Sequence, residues 1–493
     1  MTLPAMMRRF SFSMPALPAA LVLSLFVLSA QASPLALLAL ACAVLCAALL
    51  AASSRRLVPG LFVAFLVAGH LYRSPEVWGF AGVEWHPREL LLGLLLLWTC
   101  SQAAIQKISV PHDPLLFFYA LYASAFCFLA LIGVLRGQPP AEIVEELRYP
   151  LFLLAFPAFV VALRDRGDVW RLVTVLLGVA VLVALAGLAY FAWALWTDFT
   201  LSQQNFLGEF VRRRFGSIMV LSVRPSAHLW FEVGLPILFS LALCSVSRRQ
   251  RCGVAGAFAL AGLAALLAAA IAITMMRTAY VSAAVACAAV LFLRMRPRAQ
   301  RLTVLVMACV FVAVVVHGAA NSARLPSLQP QEWEVSLRAR MVETLGAWEL
   351  IKQHPVAGAG LGSFFEGVGY VAKTSQSTYG PTQYQSLHNV WLYILMKGGA
   401  VGLFLALAGM AGILWRSWRI AGTLRDPWDR ALVHGLIAAL AGQCVASITM
   451  ARLTYPAGHV LVALSAAVVL FYAVEAQQAY RHSPSASTPE ASP

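Results

Sequence analysis

His388 stands in SLHNVWLYILMKGGAVG, beside Asn389 and just ahead of an apolar stretch. An imidazole titrates near neutrality, so a histidine at a membrane edge could take a proton from a hydroxyl as a general base. It also reads as an interfacial histidine beside a helix cap. Arg277 interrupts IAITMMRTAYVSAA. A charge inside the bilayer costs at least about 2.5 kcal/mol unless it snorkels or is paired, and such charges are functional by default. The other reading of Arg277 is a helix-end arginine at a tight turn between two spans. Arg212, Arg213, Arg214 and Arg224 add four arginines to one connection. Their planar forks donate bidentate hydrogen bonds and stay charged at any working pH, which suits phosphate. A solvated basic run is the alternative. Two or three such groups in a membrane pocket would fit a diphosphate, the head group of polyprenyl-linked sugar donors.

Other motifs carry less chemistry. GAGLG at 358–362 mimics a nucleotide loop, but it follows a helix and a proline instead of a strand, so it reads as a sharp, close-packed turn. No DxD occurs, and a nucleotide-sugar transferase usually needs acidic residues around a divalent metal. Neither a metal site nor a cofactor is expected. The nine cysteines all fall in predicted spans or at their inner edges and read as buried apolar thiols, with no disulfide framework.

These residues must be placed by a membrane body. Of the 493 residues 61% are hydrophobic and 12% charged, half the roughly 25% of a soluble protein, which excludes an ordinary soluble enzyme. The mean hydropathy of +0.78 excludes disorder. The net charge of +15 comes from short basic clusters between apolar runs, not from one soluble face, so nucleic acid is not an expected partner. The bilayer is.

Segments of about 20 apolar residues divide the chain into about fourteen candidate spans: 15–31, 34–52, 57–72, 88–105, 114–135, 149–163, 171–196, 227–246, 253–275, 278–293, 302–319, 387–412, 431–449 and 457–476. Every second connection is basic, from Arg8 and Arg9 to Arg481, which predicts both termini in the cytoplasm and the remaining connections outside. The first apolar run reads as a retained span. Two outward connections, 197–226 and 320–386, are long enough to be functional. In the second, Leu337, Met341, Leu345, Trp348 and Ile351 form the stripe of an amphipathic helix, capped by Ser336 and ended by His354-Pro355. A shorter helix is expected over Pro139 to Arg148. The expected fold class is an all-α polytopic bundle with a large outward loop holding amphipathic helices. It divides into N-terminal spans at 1–196, a core at 197–476 and a disordered Pro/Ser-rich tail at 477–493.

From Arg213 to Leu405 the ordered set RRRFGS, SVRPS, ITMMRTAY, RMVETLGAWELIKQHPVAGAGLGSF and HNVWLYILMKGGAVGL resembles the O-antigen ligase and polymerase superfamily, bacterial integral-membrane glycosyltransferases. The first half of the chain matches only in hydropathy. The shared pattern is Arg340, Trp348, Pro355, Gly358/Gly360/Gly362 with Phe364, then His388-Asn389. Lys397 departs from it, because an acidic residue usually stands near that position.

The resemblance implies a C-type-glycosyltransferase-like fold in the bacterial inner membrane, with a periplasmic active site and an inverting, metal-independent transfer. The donor would be a polyprenyl-diphosphate-linked glycan. The acceptor would be lipid A-core for a ligase, or a second lipid-linked glycan for a polymerase, with a chain-length regulator as a further partner. His388 and Arg277 would be catalytic, Arg214 and Arg224 would join Arg277 on the diphosphate, and Arg340 and Asn389 would support the glycan or the loop. A lipid-linked-oligosaccharide flippase or polysaccharide exporter is the competing class; it should show inverted repeats and broken helices with midplane charges.

Overall fold

The computed structural model describes residues 78–80, 83–85, 87–106, 112–196, 204–205, 208–215, 218–224, 228–247, 253–274, 276–295, 330–373, 376–384, 387–450, 453 and 455–481. The expected spans at 15–31, 34–52, 57–72 and 302–319 lie outside them, as do both chain ends. Twelve helices are described: α1 (Pro87–Gln106), α2 (Pro114–Leu135), α3 (Pro140–Leu147), α4 (Ala155–Ala162), α5 (Arg166–Trp196), α6 (His228–Ser247), α7 (Gly253–Ile273), α8 (Arg277–Arg294), α9 (Pro330–Gln353), α10 (Val390–Thr423), α11 (Pro427–Ala446) and α12 (Pro456–Arg481). Six of the described helical segments are long and apolar enough to cross a membrane: those in α2, α5, α6, α7, α10 and α12. α8 and the pieces around α1 and α4 are apolar but shorter.

Sequence sets most of these boundaries. Asp113 accepts a hydrogen bond from Leu115 N at 2.9 Å ahead of Pro114, and Asp426 accepts from Trp428 N at 2.8 Å ahead of Pro427, so each aspartate-proline pair starts a helix. Leu131, Phe117, Leu182, Phe258 and Phe404 are exposed on the candidate spans, the surface a bilayer would cover.

The connections depart from the all-α expectation. The one at 197–226 carries β3 (Gln204–Asn205), β4 (Gly208–Phe215) and β5 (Ile218–Arg224) in an antiparallel sheet. The second long connection carries the hairpin of β6 (Phe365–Lys373) and β7 (Gln376–Tyr384), and a short pair, β1 (Trp78–Phe80) and β2 (Val83–Trp85), precedes α1. A strand ladder closes on backbone bonds between neighbours in a hairpin, so it needs no long apolar period to announce it.

α10 organises the bundle. Ala406 is fully buried, and Gly402, Gly409 and Gly412 stand with it at steps of four, three and three on the side facing α2. A Cβ at Gly409 would meet the Tyr122 backbone, and one at Gly412 the Phe118 ring. Small residues let the two helices approach closely where the bilayer offers no hydrophobic drive for association. At Gly399 (φ 59°, ψ −161°) α10 breaks. The segment after α9 fills the break. Ala359 N donates to Met396 O at 2.9 Å, Gly360 N to Lys397 O at 2.8 Å, Ala400 N to Pro355 O at 2.8 Å and Val401 N to Val356 O at 3.1 Å. Backbone groups freed by the break are thus satisfied by a second chain segment, as a buried backbone requires.

The expected turn at GAGLG is confirmed in detail. Gly358, Gly360 and Gly362 have φ of 74°, 84° and 81°, a region that only glycine enters freely. A Cβ on Gly358 would overlap the Lys397 carbonyl carbon and one on Gly360 the Gly133 backbone. Gly360→Ala is therefore expected to lower stability by about 1–3 kcal/mol from the positive φ alone, with the overlap added. Gly262→Ala, where nothing lies within 4 Å of the added carbon, should be neutral or stabilising. Thermal unfolding in detergent reads both, and equal midpoints for the two variants would contradict the packing described.

Candidate active site

Contacts at the two ends of the bundle fix which residues share a rim. At one end Arg416 holds Asp113 (2.6 and 3.0 Å), Arg166 pairs with Glu475 at 2.7 Å and Asp429 at 3.3 Å, and Arg294 donates to Ser240 O at 2.8 Å. At the other, Val390 N donates to Ser447 O at 2.9 Å, and Thr278 Oγ1 meets Met450 Sδ at 3.4 Å. The turn after α11 thereby joins the start of α8, which carries Arg277, to the start of α10, which follows His388. Chain positions 111 residues apart thus share one rim, opposite the arginine-rich end.

Arg277 opens α8, and only residues 274–276 separate that helix from α7. Thr274 Oγ1 accepts from Met276 N at 3.2 Å and braces this turn. The backbone thus matches the helix-end reading of Arg277 and places it at the rim, not in mid-span.

His388 is just over half exposed (53%) and its Nδ1 lies 2.8 Å from Oε2 of Glu343, which is buried. An ionised carboxylate only accepts, so against Glu343 the ring donates from Nδ1, and in that neutral tautomer Nε2 is the acceptor. Asn389 Oδ1 accepts from Leu392 N at 3.1 Å and caps α10. It fixes the backbone that follows His388. Glu343 was missed by the sequence reading. The signal was there: Arg340 and Glu343 stand three apart on one helix, on a common face. Arg340 is half-buried and its carbonyl accepts from Thr344 Oγ1 at 2.7 Å.

The face of α9 turned to the protein differs from the expected stripe. Glu343, Ala347 and Ile351 are buried, whereas Leu345 and Trp348 are exposed at 54% and 47%. The stripe therefore splits: Ile351 packs inward, whereas Leu345 and Trp348 face outward, and the carboxylate paired to His388 stands on the inner face. His354 ends α9 as expected, with Arg136 Nη1 3.3 Å from its Nε2. Partial desolvation, then Arg136, hold this imidazole below its usual range.

Lys397 is fully buried in α10 and pairs with Glu146 of α3 at 2.7 and 3.1 Å, while also donating to Ser363 O at 2.6 Å. Glu146 accepts from Gly362 N at 2.8 Å. Burial raises the Glu146 carboxyl, against the opposing pull of the Lys397 ammonium and the Gly362 amide. The departure at Lys397 therefore keeps a charge pair, with the acidic partner supplied by the expected short helix over 139–148. Arg148, at the end of that helix, forms a bidentate pair with Glu89 at 2.8 and 2.9 Å.

The arginines of the 197–226 connection are separated by the hairpin register. Arg214 pairs with Met219 beside the turn, and Arg224 pairs with Glu209 five rungs away, about 17 Å along the strands. Arg224 ends β5 four residues before α6, and β5 packs against α5 and α7.

Residues 262–407 match the family model described as O-Antigen ligase. The O-antigen ligase match runs from α7 into α10 and includes Arg277, Arg340, Glu343, His388 and Asn389. It supports the resemblance to the O-antigen ligase and polymerase superfamily. A chain from a solved structure described as "Structural coordination of polymerization and crosslinking by a peptidoglycan synthase complex" has 17% identity and a TM-score of 0.42, covering 76% of this chain and 100% of its own. That likeness is too low to bear on fold or function. No curated protein sequence matches the chain.

Five of the nine cysteines fall among the described residues. Cys244 is buried, Cys287 and Cys444 half-buried, but Cys100 and Cys127 are exposed on helix surfaces, contrary to the expectation of burial throughout.

Breaking a buried ion pair from one side strands a charge at a cost of about 3–5 kcal/mol. Lys397→Met is accordingly expected to be strongly destabilising, and Lys397→Met/Glu146→Gln to recover much of the loss while keeping an acceptor for Gly362 N. Unfolding midpoints of the purified variants decide this. A double variant as unstable as the single one would show that the two residues are not coupled.

Proposed function

We propose that the chain is a multi-pass glycosyltransferase that transfers or polymerises a polyprenyl-diphosphate-linked glycan at the periplasmic face of the bacterial inner membrane. The observation that carries this reading is that the turn after α11 contacts both the start of α10, which follows His388 and its Glu343 partner, and the start of α8, which bears Arg277, at the rim away from the arginine-rich end. The O-antigen ligase match across that segment supports it, and short basic connections favour the cytoplasm.

The acceptor hydroxyl oxygen attacks the anomeric carbon of the donor sugar from the face opposite the diphosphate. As the new C–O bond forms, the bond from that carbon to the phosphate oxygen breaks. The diphosphate leaves with the electron pair, giving inversion. The hydroxyl proton passes to His388 Nε2, and Glu343 stabilises the imidazolium through Nδ1–H. Arg277, with Arg224 at the base of the hairpin or Arg214 beside its turn, stabilises the negative charge growing on the diphosphate. Preorganised donors of this kind are worth about 2.7–4 kcal/mol each, and a general base about 100- to 10,000-fold. Neither role requires a metal or a cofactor. Arg340, one turn from Glu343, contacts the glycan.

A flippase or exporter would use broken helices around a midplane site. α10 is broken, but its break is filled by the backbone of 355–360, a closed joint with no room for a substrate.

Reconstitution with a polyprenyl-diphosphate glycan and candidate acceptors tests the reading. Longer glycan on the same lipid marks a polymerase, and transfer to lipid A-core a ligase. Translocation without transfer would refute both. His388→Ala and Arg277→Ala are each expected to lower turnover by at least about 100-fold with normal membrane insertion. Glu343→Ala should lower kcat by less than His388→Ala, since it leaves the base in place but unaligned. Full activity in any of these removes that residue from the mechanism.

A further inference from the structure

Behind the rim lies a second polar cluster, which the proposed chemistry does not use. Glu232 of α6 is 1% exposed. Gln443 Nε2 of α11 donates to Glu232 Oε2 at 2.9 Å and to Ser282 Oγ of α8 at 3.0 Å. Gln443 and Ser282 are equally buried. A Cβ on Gly442 would come within 2.6 Å of the Ser282 carbonyl oxygen, so the backbones of α8 and α11 are nearly in contact and the cluster has little freedom to shift.

Its depth relates it to the rim. Ser282 follows Arg277 by five residues, about 7.5 Å along the helix. Gln443 precedes Ser447, the partner of Val390, by four residues. Glu232 follows Arg224 by eight. Each of the three helices thus carries one member of the cluster one to two turns in from a segment that builds the anion site. An apolar side chain would fill this place without desolvating a carboxylate, so an ionisable residue here calls for a role. The rim arginines supply one. In the proposed site Arg224 and Arg277 bring like charges to one diphosphate, and such charges repel one another before it arrives. A carboxylate one to two turns in from the segments that carry them, little screened because it is buried, would offset that repulsion.

We propose that Glu232 is a positioning residue for the diphosphate site: its carboxylate, held by Gln443, which also donates to Ser282, draws the arginine-bearing segments together for an anionic lipid head group. This rests on the functional reading above and adds a residue outside the matched family segment.

The test is the binding of a polyprenyl diphosphate to the purified full-length protein in nanodiscs, with unfolding midpoints recorded alongside. Glu232→Gln keeps the shape and an acceptor oxygen but removes the charge. It is expected to weaken binding by about 10- to 100-fold, the range typical of residues that orient a binding group without touching the ligand. Glu232→Gln/Gln443→Glu returns the charge one side chain away and is expected to restore most of the affinity. Unchanged binding in Glu232→Gln overturns the positioning role and leaves the functional reading intact, provided Arg277→Ala loses binding. A loss that the exchanged pair fails to restore assigns Glu232 to helix packing and also overturns it. Wild-type protein that does not bind the diphosphate removes the functional reading, and this inference with it.

Discussion

The backbone joint between the segment 355–361 and the break in α10 is the constraint on which the rest depends. A transmembrane helix interrupted at Gly399 leaves amides and carbonyls without partners in a medium that offers no water. Here they are met by Pro355, Val356, Ala359 and Gly360, while Leu361 N reaches across to Leu129 O of α2 at 3.0 Å. Glycine is required because backbone meets backbone at that distance. The joint ties the end of α9 to α10 and α2, and through Gly362 and Lys397 to Glu146 of α3. Once α9 is anchored there, Glu343, ten residues before its end, lies where His388 can reach it.

Charge organises the two rims differently. At the end that the sequence assigns to the cytoplasm, arginines are neutralised pairwise by Asp113, Asp429 and Glu475, with Tyr472 Oη and Trp170 Nε1 also donating to Asp429 at 2.7 and 3.1 Å. These pairs lock helix ends to one another. At the opposite rim Glu343, Glu146 and Glu89 are each engaged by a base from a distant part of the chain. Arg277 and Arg224 are set at that rim by helix and strand ends. In the proposed reaction that rim supplies positive charge to an anionic leaving group and an oriented imidazole to a hydroxyl nucleophile, and catalysis of this type comes chiefly from preorganised charge.

Much of this was legible in the residues. The apolar runs gave helices close to those observed for 88–105, 114–135, 227–246, 253–275 and 278–293, since a span of that length has few alternatives in a bilayer. Asp113-Pro114, Asp426-Pro427 and His354-Pro355 mark helix ends through local capping chemistry and proline's missing donor. The glycines of GAGLG declared a tight turn. The hairpins were not legible, because short strands in a polar connection lack a distinctive period. The inner face of α9 was not legible at Glu343, because hydrophobicity cannot foresee that a buried carboxylate will find a histidine from a distant part of the chain.

The sequence by itself determined the position of several apolar helices long enough for a bilayer, where some of them stop and which residue types were available for phosphate and proton transfer. Those are local matters of length, capping and side-chain chemistry. Only the tertiary structure decided that His388 pairs with Glu343, that Lys397 keeps a charge pair through Glu146, and that Glu232, Gln443 and Ser282 converge. Each of these contacts joins positions 45 to 251 residues apart. Nothing along the chain encodes which helix faces which; close packing of small residues and the satisfaction of buried polar groups select that arrangement once the helices assemble.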